Sequence, residues 1–217
     1  MSTQFWLDRW AQGQIGFHQA NVNSYLKAYW SRVSAGPPTT VFVPLCGKSL
    51  DMRWLCELGH NVIGVEISQK AIREFFEENG LAPRVTPGRR CEYWDAGRVR
   101  LICGDFFDLE PLDLQSVGAT FDRAALVALP QEMRSRYVDK LLQVIPATTP
   151  ILLVAMTYAQ QEMKGPPFAV SESEVRSLFR RASVELLASL DVLDDNPRFR
   201  ERGLKALTEQ AYLIHQR

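Results

Sequence analysis

The chain has 217 residues, 46% hydrophobic and 23% charged, which is typical of a globular protein that can bury one sizeable core. Its 25 basic and 25 acidic residues cancel, so it lacks the basic excess of a protein that binds nucleic acid phosphates, and we expect no nucleic acid partner. It has neither the basic start and apolar core of an export signal nor a run of 18 apolar residues, so we expect a cytoplasmic protein with no membrane partner.

The cysteines and histidines do not show the spacing of a zinc site. No two cysteines form a C-x-x-C pair, and the three histidines lie far apart in the sequence. We therefore expect no metal, and reduced thiols at Cys46, Cys56, Cys91 and Cys103.

The N-terminal segment is rich in aromatic residues. Phe5, Trp6 and Trp10 fall near one face of a predicted helix that ends before Gly13. A second helix follows, for which either Asn21 or Asn23 can be the N-cap residue. Residues 1–36 are thus predicted to form a helical cover.

Residues 37–217 alternate between apolar runs and amphipathic helices. This pattern predicts an α/β fold with a largely parallel sheet and helices on both faces, in a single domain spanning 1–217. The predicted strands are 40–45, 61–68, a hairpin whose second strand is 98–103, 119–126, 149–159, 183–193 and 209–216. No helix separates the last two strands, so we expect a terminal hairpin that places one antiparallel strand in the sheet.

The turn after the first strand resembles half of a phosphate-binding P-loop. Gly47, Lys48 and Ser49 match its end, but Phe42 stands where the first glycine is required. The loop from Pro44 to Gly47 is too short to wrap two phosphates, so the sequence argues against a kinase or an ATPase.

Two acidic positions instead favour a nucleoside without phosphates. Glu66 ends the second strand, 19 positions after Gly47, where a carboxylate can accept both ribose hydroxyls; the alternative is a residue that caps the next helix. Asp105 and Phe106 follow the third strand, where they can bind the exocyclic amine of adenine and cover its ring. S-adenosylmethionine is such a ligand, and a parallel sheet with a C-terminal antiparallel strand is the shape of the Rossmann-like methyltransferases.

Several motifs together resemble one family over essentially the whole chain. They are "FWLDRWAQGQIGFHQ" (4–18), "VFVPLCGKSLDMRWL", "GHNVIGVEIS", "GDFF", "FDRAALVALP", "GPPFAVSESEV" and "QAYLI". With them the chain resembles the thiopurine S-methyltransferases, and the bacterial members in particular. The resemblance implies a class I S-adenosylmethionine-dependent methyltransferase fold, with a sheet of seven or more strands and an N-terminal helical lid.

The resemblance also implies which residues bind the cofactor, S-adenosylmethionine, and its product, S-adenosylhomocysteine. The implied cofactor contacts are Trp10, Leu45, Glu66 and Arg123, with adenine contacts near Asp105 and Phe106. Leu45 and Gly47 would shape the turn that lets the cofactor approach. Lys48 is expected to face solvent or, at most, to lie near the cofactor's carboxylate.

The acceptor is expected to lie between the end of the fourth strand and the aromatic N-terminal segment. Arg123, the candidate catalytic residue, can hold a carboxylate or stabilise a developing thiolate there; the alternative is a salt bridge with Asp122 or a nearby acid. Trp6 and Phe17, with Trp10, offer flat surfaces to a heteroaromatic ring, although core packing is an equal alternative for Trp6.

Two further positions are candidates for the acceptor pocket. His18 can help to remove a proton, although a structural role is the alternative. Arg198 matches a position that lines the acceptor pocket in the family, although loop arginines are usually solvated.

We therefore expect a monomeric enzyme that methylates the sulfur of heteroaromatic thiols, and also selenium or tellurium compounds, with a small-molecule aromatic thiol as its partner. The alternatives are a small-molecule O- or N-methyltransferase and a cofactor-binding protein without activity. The N/D-P-P-Y/F motif of amine methyltransferases is missing after the fourth strand, and "GPPF" (165–168) is interpreted as a loop over the acceptor pocket.

Overall fold

The computed structural model describes residues 3–216, and its strands form one nine-stranded sheet. In chain order the strands are β1 (Thr40–Val43), β2 (Asn61–Glu66), β3 (Arg84–Pro87), β4 (Glu92–Ala96), β5 (Val99–Cys103), β6 (Val117–Arg123), β7 (Ile151–Thr157), β8 (Ala182–Asp191) and β9 (Thr208–Gln216). Their order in the sheet is β3-β4-β5-β2-β1-β6-β7-β9-β8.

Seven α-helices accompany the strands in the described residues. They are α1 (Thr3–Ala11), α2 (Ser24–Val33), α3 (Leu50–Glu57), α4 (Gln69–Glu78), α5 (Gln131–Val144), α6 (Glu172–Leu178) and α7 (Pro197–Glu201). Asn23 is the N-cap residue of α2, since its side chain accepts hydrogen bonds from the Tyr25 and Leu26 amides. None of the helices in residues 3–216 has the length and apolar character needed to cross a bilayer.

The sheet topology confirms the predicted fold class. Strands β5, β2, β1, β6 and β7 run parallel, and β9 lies antiparallel between β7 and β8. The chain leaves β1 for β2 on one side and later returns to β6 on the other. This switch point opens a crevice at the carboxyl ends of the strands, where open α/β sheets bind their ligands.

Two predicted strands end earlier in the structure than in the sequence pattern. Strand β1 stops at Val43 because Leu45 takes a φ of 45°, and β6 stops at Arg123 because Ala124 takes a φ of 65°. Both residues occupy the left-handed region, which side chains other than glycine rarely adopt. The sequence pattern also missed β3, a short edge strand that ends in proline.

The core has one apolar layer on each face of the sheet. In β1 the side chains alternate, so Phe42 packs with the layer under α5 and α6, while Val41 and Val43 pack with the layer under α2, α3 and α4. Both faces of the central strands are therefore covered, and only the strand ends remain for a ligand.

Candidate active site

A cavity of about 570 Å³ lies at the carboxyl ends of the central strands. All the residues that the sequence nominated line it: Trp6, Trp10, Phe17, His18, Leu45, Gly47, Glu66, Asp105, Phe106, Arg123 and Arg198. They come from distant parts of the chain, and the sheet brings them to one edge.

The turn after β1 is shaped by Gly47 and closed by an indole ring. Gly47 has a φ of 53°, and a Cβ added there would lie 3.2 Å from Cζ2 of Trp10. Trp10 is only 3% exposed, so it covers the turn and at the same time lines the cavity. With Leu45 also left-handed, the backbone itself is exposed to a ligand at this point.

Glu66 ends β2 as a buried carboxylate. Its Oε2 atom accepts a hydrogen bond of 3.0 Å from the Gly47 amide, and its Oε1 atom accepts one of 2.8 Å from the Ser68 amide. Burial raises the pKa of Glu66 to about 7, against the opposing effect of the amide donors. Glu66 therefore ties β1 to β2 and caps the next turn, and its oxygens retain lone pairs for a ligand in the cavity.

The segment after β5 supplies an acid and two aromatic rings. The Asp105 carboxylate accepts a hydrogen bond of 2.9 Å from the Phe107 amide and so begins a turn of 3₁₀-helix. Phe106 is almost wholly buried and packs on Tyr137, with 4.8 Å between ring centroids. Phe107, which the sequence analysis did not nominate, is half-buried in the same cavity and has the Arg136 guanidinium 4.1 Å from its ring centroid.

Arg123 faces the cavity with a free guanidinium. It makes no hydrogen bond or ion pair with any residue in the described range, and burial lowers its pKa while the charges of Asp51 and Glu209 oppose that shift. Asp122 points to the opposite face of β6, where it accepts a 2.7 Å hydrogen bond from the Tyr137 hydroxyl. The alternative of an Asp122–Arg123 salt bridge is therefore wrong.

Aromatic residues of the N-terminal segment form one wall of the cavity. Phe17 meets Trp6 and Trp10 edge to face, with centroid distances of 5.8 and 5.5 Å. His18 lies beside them, and burial, followed by the Lys48 charge, lowers its pKa. Both effects favour the neutral form of the imidazole.

The connection between β8 and β9 and the loop after β7 also line the cavity. Arg198, in the first turn of α7, donates a hydrogen bond to the Gly16 carbonyl and so joins this connection to the N-terminal segment. Pro166 and Pro167 of the "GPPF" loop line the same cavity. The Tyr158 hydroxyl holds that loop through a 2.6 Å hydrogen bond to the Pro167 carbonyl.

Lys48 is buried against α4 at the edge of the cavity and does not face solvent. It is 9% exposed, and its Nζ atom lies 2.9 Å from Glu74 and 2.6 Å from Glu78, both on α4. Burial lowers the pKa of Lys48, but hydrogen bonds to Glu78 and Glu74 outweigh it and raise the pKa. The expectation of a solvent-facing lysine is wrong, because two acids on one helix face form a counter-charge that spacing along the chain does not reveal.

The sequence analysis missed two carboxylates of the cavity wall. Asp51, in the first turn of α3, accepts a 2.7 Å hydrogen bond from the Asn23 amide and one of 2.8 Å from the Ser49 hydroxyl. Glu209 is the second residue of β9 and lines the cavity. The one available signal for Glu209 was an acid placed just before the apolar run of that strand.

The cavity fits a nucleoside sulfonium ligand. Its volume is within the usual range for small-molecule sites, it is lined largely by apolar side chains, and carboxylates stand at the ends of β2 and β5. At Gly47 a side chain would crowd the Trp10 ring and would have to adopt a left-handed backbone conformation, so this turn favours glycine. Within the described range, no cluster of three or more His, Cys, Asp or Glu is placed to hold a metal ion.

Comparisons with known proteins agree with this geometry. The sequence model of the family described as "Thiopurine S-methyltransferase (TPMT)" matches residues 1–217. A thiopurine S-methyltransferase of Nitrosospira multiformis is 50% identical over 215 residues, 99% of this chain and 98% of that protein. One of Methylococcus capsulatus is 48% identical over 216 residues, 99% of this chain and 97% of that protein.

Solved structures show the same fold at low identity. The 1,6-didemethyltoxoflavin-N1-methyltransferase of Burkholderia thailandensis, solved with S-adenosylhomocysteine, has a TM-score of 0.62 at 14% identity and covers 99% of this chain and 87% of that one. A SAM-dependent methyltransferase of Anabaena variabilis has a TM-score of 0.64 at 13% identity, over 99% of this chain and 95% of that one. These likenesses support the Rossmann-like methyltransferase fold alone.

Proposed function

Since this chain belongs to the thiopurine S-methyltransferase family, we propose how its cavity divides between cofactor and acceptor and which side chains serve each. The protein is an S-adenosylmethionine-dependent methyltransferase that transfers a methyl group to the sulfur of thiopurines. The observation that supports the division is the order of residues along the sheet edge, from Asp105 after β5, through Glu66, to Arg123 at the end of β6.

The cofactor half is formed by the ends of β5, β2 and β1. Glu66 would accept hydrogen bonds from the ribose hydroxyls, and Asp105 would accept one from the adenine amine, with Phe106 and Phe107 beside the ring. Leu45 and Gly47 present backbone to the methionine portion, and the Trp10 ring covers it. When bound, the cofactor supplies an activated methyl group on a positively charged sulfur, which is a good leaving group.

The acceptor half is formed by the end of β6, the N-terminal aromatic wall and α7. Trp6 and Phe17 would stack against or flank the acceptor ring, and Pro166 and Pro167 would close its other side. Arg123 and Arg198 would interact with negative charge on the acceptor, and the free guanidinium of Arg123 would stabilise the thiolate. The side chains mainly orient the two reactants and exclude water.

We extend the proposal to the rest of the chain. Residues 1–217 act as one catalytic unit, with 1–36 as the cover, and the enzyme works as a cytoplasmic monomer on a small aromatic thiol. Selenium and tellurium compounds of similar size are proposed as further acceptors, since their anions can occupy the same position.

Two measurements test this proposal. Saturating S-adenosylmethionine should raise the midpoint temperature of thermal unfolding. At a ligand concentration of about a hundred times the dissociation constant, the free energy of unfolding should rise by about 2.7 kcal/mol. A methyl-transfer assay should then rank an aromatic thiol above the matching phenol and aniline. No thermal shift would refute the cofactor site, and a preference for the phenol would refute the acceptor assignment.

A further inference from the structure

Glu209 differs from the other carboxylates that line the cavity. Glu66, Asp51 and Asp105 each accept hydrogen bonds from backbone amides or a hydroxyl. The Glu209 carboxylate makes no hydrogen bond or ion pair with any residue between 3 and 216, although the residue is partly buried. Its oxygens are therefore available to a ligand.

The antiparallel strand places Glu209 in the acceptor half. Strand β9 begins at the edge where β7 ends, with Thr208 opposite Thr157 and Glu209 opposite Met156. Arg123 lies opposite Val154 on the other side of β7. Two strand spacings, about 10 Å in all, separate the β6 and β9 backbones, which leaves room for a flat ring between the two side chains.

The charged groups around Glu209 come from three elements. Two are the cations Arg123 of β6 and Arg198 of α7, and the third is the titratable hydroxyl of Tyr25 in α2. The residues that pair with Glu209 in β7 and β8 are the apolar Met156 and Leu190. Burial raises the pKa of Glu209, and the charges of Arg123 and Arg198 oppose this. The Glu209 carboxylate is therefore more basic than an exposed glutamate. It lies near two cations, Arg123 and Arg198, but forms an ion pair with neither.

A heteroaromatic thiol of the cyclic thioamide class carries its proton on the ring nitrogen next to the C=S bond, not on sulfur. Such an acceptor needs two groups at once: an acceptor for the N–H and a cation near the sulfur. The cavity offers Glu209 for the first and Arg123 for the second.

We propose that Glu209 is the catalytic base for cyclic thioamide acceptors, an inference that rests on the proposed function. The Glu209 carboxylate takes the ring N–H proton, the N–H electron pair forms the ring C=N bond, and the C=S π pair moves to sulfur. The thiolate sulfur then bonds to the methyl carbon as the bond from that carbon to the sulfonium sulfur breaks, leaving its pair on that sulfur. The neutral thioether leaves, and Glu209 returns the proton to water.

The test compares two acceptors in the wild type and in Glu209→Gln. Pyridine-2-thione carries its proton on nitrogen at pH 7, whereas 4-nitrothiophenol is already a thiolate. Glu209→Gln should lower kcat/KM for the thione by about 10²-fold and for the nitrothiophenol by less than threefold. When the pH is raised above the pKa of pyridine-2-thione, the difference in kcat/KM between Glu209→Gln and the wild type should become smaller, because the acceptor is then already a thiolate.

A binding measurement separates this role from a structural one. In a complex with S-adenosylhomocysteine, the ultraviolet spectrum of bound pyridine-2-thione should show the thiolate in the wild type and the thione in Glu209→Gln. Glu185→Gln, an exposed acid on β8 that pairs with Arg32, is the matched control and should behave as the wild type.

Each result decides one question. Any of four results would overturn the inference. The first two are an equal loss of kcat/KM for both acceptors in Glu209→Gln and an ultraviolet spectrum that the substitution leaves unchanged. The other two are a wild type that does not methylate the thione and an acceptor-dependent loss in His18→Asn in place of Glu209→Gln. A wild type that methylates neither acceptor would refute the proposed function itself.

Discussion

At the residue scale, three carboxylates at strand ends differ in what their oxygens contact. Asp122 bonds to Tyr137 and to the Leu126 amide on the far side of the sheet. Glu66 holds two turns together, and Glu209 has free oxygens in the cavity. Because the residue type is nearly the same, the neighbouring groups, and not the side chain, determine the role.

Glu66→Gln tests the cofactor site at this scale. It keeps the shape but removes the charge, so the free energy of cofactor binding at pH 8 should weaken by about 1.5–3 kcal/mol, which is about 10- to 150-fold in affinity. The pKa of Glu66 is raised to about 7, so the free wild type holds this proton at lower pH and must release it to bind the ribose as a carboxylate. Wild-type affinity should therefore fall below pH 7, approaching tenfold per pH unit.

Isothermal titration calorimetry with S-adenosylhomocysteine between pH 6 and 8 measures both effects. The Glu66→Gln variant should show no comparable pH dependence. An equal dissociation constant for wild type and variant at pH 8 would remove Glu66 from the cofactor site.

At the element scale, the strand–turn–helix around Gly47 is held from both sides. Glu66 of β2 binds the Gly47 amide, and α4 pairs with the adjoining Lys48 through Glu74 and Glu78. A charge pair of this kind is worth more when buried, because breaking it leaves a desolvated charge.

Lys48→Met should therefore destabilise the fold more than a change at a comparable surface lysine. Lys48 is buried, whereas its partners Glu74 and Glu78 are partly exposed. We therefore expect the free energy of unfolding to fall by about 2 kcal/mol. Lys70→Met is the control, since Lys70 also pairs with Glu74 but is 50% exposed, and it should cost less than about 1 kcal/mol. Urea unfolding of both variants checks the difference, and equal midpoints would contradict the buried role of Lys48.

At the scale of the whole molecule, the N-terminal segment and the connection before β9 meet at the cavity. Arg198, in the connection before β9, donates to the carbonyl of Gly16 in the N-terminal segment, 182 positions away. The cover and the β8–β9 connection are thus joined across the acceptor half.

Arg198→Ala should loosen that junction. Loss of one hydrogen bond worth about 1 kcal/mol should speed amide hydrogen exchange in residues 12–22 by about fivefold and raise KM for the acceptor, with little change in cofactor affinity. Arg200→Ala, which removes a surface pair with Asp194 in the same helix, is the control. Exchange rates that match in both variants would show that Arg198 does not hold the cover.

The sequence by itself determined the alternation of strands and helices, the antiparallel insertion near the C-terminus and the family. Local patterns carry these features, since periodicity and motifs such as "PLCGKS" depend on neighbouring residues alone. The nominated residues all line one cavity, although their separate roles remain predictions.

Only the tertiary structure decided which charges have partners. It buried Lys48 against α4, turned Asp122 away from Arg123, and left Arg123 and Glu209 facing one cavity. It also placed the left-handed Leu45 and Ala124 at the ends of β1 and β6. The physical reason is that desolvation and pairing depend on groups brought together from distant parts of the chain, and in particular on an antiparallel strand whose first residues reach the edge where its parallel neighbours end.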